Sequence, residues 1–492
     1  MMSNLIVLPL LIPLVTAIIL IFFSNIAIQR RITGFSVLLN VAVSAYMVQQ
    51  VQSKGIHTLY MSGWLPPFGI VFVADMFAAL LVLTTAIIGA ACLFYAFGSI
   101  GEAKEKHYFY TFSQFLLVGV IGSFLTGDIF NLFVCFEVML ISSYALIVLG
   151  GTKLQLRESL KYILINILSS ALFVASVAYL YAAVGTLNMA HLSARVAEAG
   201  QGGVLTVTAI LFLIVFGLKA GLFLFFWLPG SYSTPPAAIS ALFGGLLTKV
   251  GVYAIIRTFT LIFYHEPGVT HTIIVWMAAA TMILGAIGAL AYRDINRIMI
   301  YNIVVSVGFI CFGLAVANKA ALEGVVYYLV HDMIAKALLF LLGGSLIAAA
   351  GSAQLKDIGG LIKRHPVMGW MFFVTALAIV GVPPLSGFIG KLLIVQGGLE
   401  GAHYWLTGIG LASSLLVLYS LMNIFMNGFW GEFRLTREPE QGLPKCLLTP
   451  AAFLLVLIVL LGAGAEWVYP YVSQAGDVLL YPQLYIDAVL KG

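Results

Sequence analysis

Charge is what this chain most lacks. Only 9% of its 492 residues are Asp, Glu, Lys or Arg, against 62% apolar. No polar segment is long enough to build a soluble domain, and a mean hydropathy of +1.08 marks a polytopic membrane protein. Cysteine is scarce too. Cys92, Cys135, Cys311 and Cys446 stand far apart, with no CxxC pair and no His/Cys metal spacing, and read as buried apolar residues. A Gly-rich nucleotide loop, a haem signature and a nucleophile elbow are all missing. No cofactor is therefore expected, and the chain reads as a transporter rather than an enzyme. The apolar run Leu5–Phe23 has no basic n-region before it and no small-residue cleavage site after it, so it reads as a retained helix. The slight basic excess sits in short loops and does not point to nucleic acid.

What is there is apolar sequence from end to end. Fourteen spans are expected, at roughly 4–24, 32–51, 72–98, 108–126, 128–149, 158–184, 204–229, 236–264, 271–290, 297–317, 321–350, 366–399, 403–430 and 447–470. The segment 188–200 is too polar to span and is expected along the surface. Fourteen basic residues fall in the loops after spans 1, 3, 5, 9, 11 and 13, among them Arg30, Lys104, Lys153, Arg293, Lys363, Arg434 and Arg437. Four fall on the other side: Lys54, Arg195, Lys319 and Lys491. The positive-inside rule then puts the odd loops in the cytoplasm and both termini outside.

Two spans are interrupted. Span 7 reads FGLKAGLFLFFWLPGSYSTPP and span 12 reads IVGVPPLSGFIGKLL. Gly and Pro here free backbone groups that lipid cannot satisfy, so such breaks persist only where buried or lining a wet cavity. Paired interruptions point to an inverted-repeat transporter. The expected architecture is all-α, with two inverted five-helix repeats, spans 4–8 and 9–13. The divisions fall at 1–107, 108–264 for the first repeat, 265–430 for the second, and 431–492 for the last helix and tail.

Against this apolar background, a few charges stand where a bilayer is costly to them. Glu137 lies halfway down span 5 and Lys219 in span 7. If their helices touch, each offsets the other's charge, and separating them would favour proton release from the lysine; the alternative is a static pair. Lys249 is central in span 8. Arg257, two turns on, reads either as snorkelling to the headgroups or as functional. Span 11 carries YYLVHDMIAKALLF, which holds His331, Asp332 and Lys336. It supports either an Asp332–Lys336 pair with His331 as a packing residue or a proton relay. Lys391 has no carboxylate near it in sequence and must find water or lose its proton. Asp75 and Asp128 read as helix-start residues.

These residues carry a resemblance. FEVMLISSY, GLKAGLFLFFWLP, LTKVGVYAIIR, HDMIAKALLFLLGG and GVPPLSGFIGKLL, in this order, resemble the antiporter-like subunits shared by Mrp-type Na⁺/H⁺ antiporters, respiratory complex I and membrane-bound hydrogenases. The likeness covers roughly residues 1–470, and within the family the run from Leu228 to Arg257 most resembles the D-type subunits of the Mrp branch. It implies that Glu137 and Lys219 are the essential pair, that Lys249, His331 and Lys336 form the central relay, and that Lys391 is the terminal site. It also implies a bacterial cytoplasmic-membrane protein that works with other antiporter subunits, moving protons with Na⁺ carried via the complex. The alternative is a pumping subunit of complex I or a hydrogenase. Two departures stand out. Gly230 replaces an acidic residue usual after LP, and Tyr301-Asn302-Ile303 replaces Tyr-Ser-Ser, which is expected to alter a hydroxyl contact in span 10.

Overall fold

The computed structural model describes residues 3–432 and 445–491; Arg434 and Arg437 lie outside the described residues. Strands His57–Tyr60 and Val71–Ala74 pair antiparallel, with His57 opposite Ala74. Nearly everything else is helix. Among the described residues, ten helices are long and apolar enough to cross a membrane, and they coincide with expected spans 1, 2, 3, 5, 6, 8, 9, 10, 11 and 13. The other four depart from that simple form. Span 4 is the shorter apolar helix Phe109–Leu125, and spans 7 and 12 open with the short helices Val204–Ala220 and Pro366–Val380. Span 14 turns by 82° between Leu447–Ala463 and Ala465–Leu480, so it ends near 463 rather than 470. The segment expected on the surface is the 11-residue helix Met189–Ala199, buried along Leu192, Ser193 and Val196.

Polar residues set the helix starts. Asp75 accepts from Ala78 N at 2.8 Å and Asp128 from Asn131 N at 2.8 Å, as expected of N-caps. Thr152 and Gln155 form a reciprocal capping box at the start of span 6. Asp294 caps span 10 through Arg297 N at 3.0 Å.

One set of backbone bonds occurs twice. Ile129 N donates to Leu187 O and Met189 N to Gly127 O; Ile295 N donates to Ala353 O and Leu355 N to Arg293 O. Each of these positions has moved by 166 residues (295 − 129, 353 − 187, 355 − 189, 293 − 127). Short antiparallel bridges, Asp128 to Asn188 and Asp294 to Gln354, thus close spans 5–6 and spans 10–11 alike. The breaks also match. Gly217 O accepts from Gly221 N and Leu222 N; Leu377 O accepts from Gly381 N and Val382 N, 160 residues on (377 − 217). Gly221 and Gly381 both take positive φ, +76° and +93°, which glycine adopts without a Cβ clash.

The centre of the molecule is formed by spans 8, 10 and 11. The apolar window of span 8 is 100% buried and that of span 10 is 94%, against 33% for spans 1 and 6, whose apolar faces point outward as lipid-facing helices do. Both described chain ends share one face. The turn Ser3–Val7 packs on the hairpin, and the Tyr60 hydroxyl donates to Val489 O at 3.1 Å.

Candidate functional site

Glu137 and Lys219 lie close but do not meet as a direct ion pair. Ser170 of span 6 stands between them: its hydroxyl donates to Glu137 Oε1 and accepts from Lys219 Nζ at 3.3 Å. The Lys219 ammonium also lies 5.1 Å from the centroid of the Phe136 ring. The expected contact is therefore a three-membered chain. Its middle member hydrogen-bonds both groups, which allows a concerted exchange in which Lys219 passes a proton to the hydroxyl as the hydroxyl passes its own to Glu137.

Lys249 is positioned by a distortion. Phe243–Leu247 form a π-helical turn within span 8, and Lys249 Nζ reaches back to Gly244 O at 2.9 Å. The same ammonium pairs with Asp332 Oδ2 at 2.9 Å. Asp332 Oδ1 faces Lys336 Nζ at 3.5 Å, and all three side chains are at most 1% exposed. One carboxylate is thus clamped between two lysines. The expected Asp332–Lys336 pair is present, but as half of a triad whose other half comes from another span.

His331 is not part of that triad. Its Nδ1 is 2.7 Å from Ser386 Oγ, where span 12 resumes after its break, and its ring stacks on Tyr328 at 5.7 Å between centroids. Lys391 has found partners. Its Nζ donates to Val380 O at 2.9 Å and to Ser414 Oγ at 2.9 Å. Val380 is the last residue of the first half-helix, so the break supplies the lysine with a freed carbonyl at the negative end of a helix dipole. The ammonium also sits 5.7 Å from the Tyr328 ring centroid, which links it to His331. In span 7 a carbonyl near the end of the first half-helix, Leu218 O, is taken by Trp227 Nε1 at 3.0 Å.

Two glycines bring the groups together. A Cβ on Gly251 would come within 2.8 Å of the Lys219 backbone, and one on Gly390 within 2.7 Å of Tyr328. The absent side chains let spans 8 and 12 approach those residues closely. Gly230 also has a steric reason: a Cβ there would lie 2.1 Å from Glu158 Oε2. A carboxylate thus occupies the neighbourhood, supplied by span 6, and it pairs with Lys161 at 2.9 Å. Asn302 donates to Ser420 Oγ of span 13 at 3.2 Å, so the contact at this departure is between an amide and a hydroxyl.

Arg257 does not snorkel. It is 2% exposed and pairs with Asp75 Oδ2 at 2.6 Å. The rings of Phe77, Tyr253 and Tyr485 surround its guanidinium. Ser170, Ser386, Ser414 and the Lys249–Asp332 contact have no signature in the sequence pattern.

The family described as NADH:quinone oxidoreductase/Mrp antiporter, TM matches residues 126–417. The chain belongs to this family. It is 55% identical, over the whole of both chains, to the D-type subunit of the Na(+)/H(+) antiporter of Bacillus subtilis (strain 168). It is 50% identical, again over both whole chains, to the protein of the same name from Alkalihalophilus pseudofirmus. A chain of the Mrp complex from Dietzia sp. DQ12-45-1b superposes with a TM-score of 0.91 at 28% identity, covering 99% of each chain. Membership accounts for the recurring scaffold: an all-helical, multi-pass antiporter-family protein with interrupted helices at the expected places.

Proposed function

We propose that the chain is the proton-translocating subunit of a multisubunit Na⁺/H⁺ antiporter in the bacterial cytoplasmic membrane. It moves protons through Glu137, Lys219, Lys249, His331, Lys336 and Lys391, and the complex couples that flow to cation extrusion. The observation that carries this reading is the hydroxyl link Glu137–Ser170–Lys219. A direct buried ion pair would be a static neutral unit, whereas a pair joined through one rotatable hydroxyl opens and closes with a small motion. Closed, the chain transfers a proton between its ends. Open, it leaves a lysine in apolar surroundings, which favours the neutral amine.

Next along the path, Asp332 is shared by Lys249 and Lys336. A proton leaving either lysine lets the carboxylate settle on the other, so the triad passes charge between spans 8 and 11. His331 and Lys391 continue beyond it, each held by a group at the break in span 12.

The whole-length likeness to relatives named as D-type antiporter subunits favours antiport over the redox-complex alternative. The bonds repeated 166 and 160 residues apart support division into repeats at 108–264 and 265–430, inverted because each holds an odd number of spans. The shared face of the chain ends, with the loop charge bias, supports both termini outside.

The test is Na⁺-dependent ΔpH in vesicles holding the assembled complex. Glu137→Ala and Lys219→Ala are expected to abolish antiport while leaving assembly intact, and full antiport in either assembled variant would overturn the reading.

A further inference from the structure

One buried carboxylate has no place in that path. Glu323, near the start of span 11, is 2% exposed. Both of its oxygens are held by the amphipathic helix Ala465–Leu480: the Tyr469 hydroxyl donates to Oε2 at 2.7 Å and Ser473 Oγ to Oε1 at 2.9 Å. Lys319 stands 3.9 Å away and pairs more closely with Asp477, at 3.2 Å. Gly476 lets the helix lie on the carboxylate, since a Cβ there would come within 2.8 Å of Glu323 Cγ.

Tyr327 and His331 follow Glu323 at four and eight residues, so the three share one stripe of the helix, ~12 Å long. One turn beyond Glu323, beside the Tyr327–His331 part of that stripe, lies a cavity of about 340 Å³, walled by Tyr327 and His331, by Val48 of span 2, and by Leu461, Tyr471 and Val472 from the C-terminal segment. It is large enough to hold several waters. Its walls are largely apolar, and an apolar constriction gates by dewetting. His331 borders the cavity; its Nε2, closed to solvent, has no hydrogen-bond partner among the described residues and lies against Gly387, where a Cβ would come within 2.8 Å of it.

We propose that Glu323 is a proton-binding site on the membrane face that carries the chain ends, and that the cavity is a gated water path from it to His331. This rests on the proton-carrying reading above. The Glu323 carboxylate takes a proton from that face and releases it along the waters. His331 gains it at one ring nitrogen and gives up another from the opposite nitrogen toward Ser386. The C-terminal helix, joined to Glu323 by two hydrogen bonds, is the cover of this entrance.

The experiment uses the assembled antiporter in vesicles, with the pH on this face varied. Glutamine retains an oxygen and an amide for Tyr469 and Ser473, so Glu323→Gln preserves the packing role that Glu323→Ala removes. Both variants are expected to lower Na⁺-dependent proton flux at least about tenfold and to flatten its dependence on pH at this face. Val48→Phe, which fills the cavity and leaves Glu323 in place, is expected to slow flux as well. Wild-type flux and pH profile in Glu323→Gln would overturn the proposal. So would wild-type flux in Val48→Phe, should the Glu323 variants fail to assemble. Lys219→Ala separates the two readings: if it abolishes flux while Glu323→Gln and Val48→Phe do not, only the entrance is wrong; if it too leaves flux intact, the antiport reading fails first.

Discussion

Spans 5–6 and spans 10–11 start from the same backbone bonds and then carry different chemistry. Position 170, a serine, corresponds to Lys336 on the 166-residue displacement, and Asn166 corresponds to Asp332 (336 − 170, 332 − 166). In the first unit a single carboxylate, Glu137, touches its lysine only through a hydroxyl. In the second a single carboxylate is gripped directly by two lysines at 2.9 and 3.5 Å. The scaffold fixes where a polar group enters the membrane centre, and the side chain placed there decides between a hinge and a clamp. A hinge suits a gate, because it is held by one bridging group. A clamp suits a junction, because it always holds at least one partner.

The sharpest way to break the comparison is to remove an end of the hinge. Lys219→Ala is expected to eliminate antiport, a loss of more than about a hundredfold, with the protein still present at wild-type level in the purified complex. Next in size is the clamp. Asp332→Ala leaves Lys249 and Lys336 both buried without their carboxylate and is expected to cost about 3–5 kcal/mol, read as a lower thermal midpoint or lost assembly. Glu137→Ala, at the half-buried hinge, is expected to leave that midpoint near wild type; equal destabilisation by both substitutions would erase the distinction. A smaller effect is expected from the hinge pin. Ser170→Ala removes the bridge without removing a charge and is expected to slow antiport about tenfold, the worth of one hydrogen bond at the upper end of its range, while Ser170→Thr keeps most activity. Smallest is Gly230→Ala. Glu158 has Lys161 and solvent to turn to, so the displaced carboxylate is expected to cost less than about 1 kcal/mol, measured as a slight fall in the same midpoint.

Much of the fold was readable because lipid leaves the backbone few options. Gly221 and Gly381 mark the two breaks in sequence as plainly as in space. Asp75 and Asp128 stand where caps belong, at the start of apolar runs. The bend after Ala463 was missed although Gly462 and Gly464 stand at it and Glu466 follows, because Trp467 and Val468 resume the apolar sequence beyond them. In the site, the charged members were readable because each is expensive in a membrane, but their partners were not. Lys249 and Asp332 are 83 residues apart (332 − 249), and no spacing rule joins them. Ser170 looks like any serine in an apolar helix, most of which bond back to a carbonyl one turn earlier. Lys391 forms no ion pair among the described residues, as its sequence neighbours imply. Its partner is a main-chain carbonyl that exists as a free acceptor only because the helix is broken. Arg257 resembled a snorkelling residue because its partner, Asp75, lies 182 positions earlier (257 − 75).

The central claim is that a hydroxyl-linked Glu137–Lys219 hinge carries protons in exchange for a cation. The most direct measurement is Na⁺-dependent ΔpH in inverted vesicles from an antiporter-deficient host, with the complex assembled around wild-type, Ser170→Ala or Lys219→Ala chains. The account predicts full dissipation, a rate reduced about tenfold and no response, in that order. Equal dissipation by all three would contradict it, as would a wild-type complex that ignores Na⁺ and moves protons only when given an electron donor.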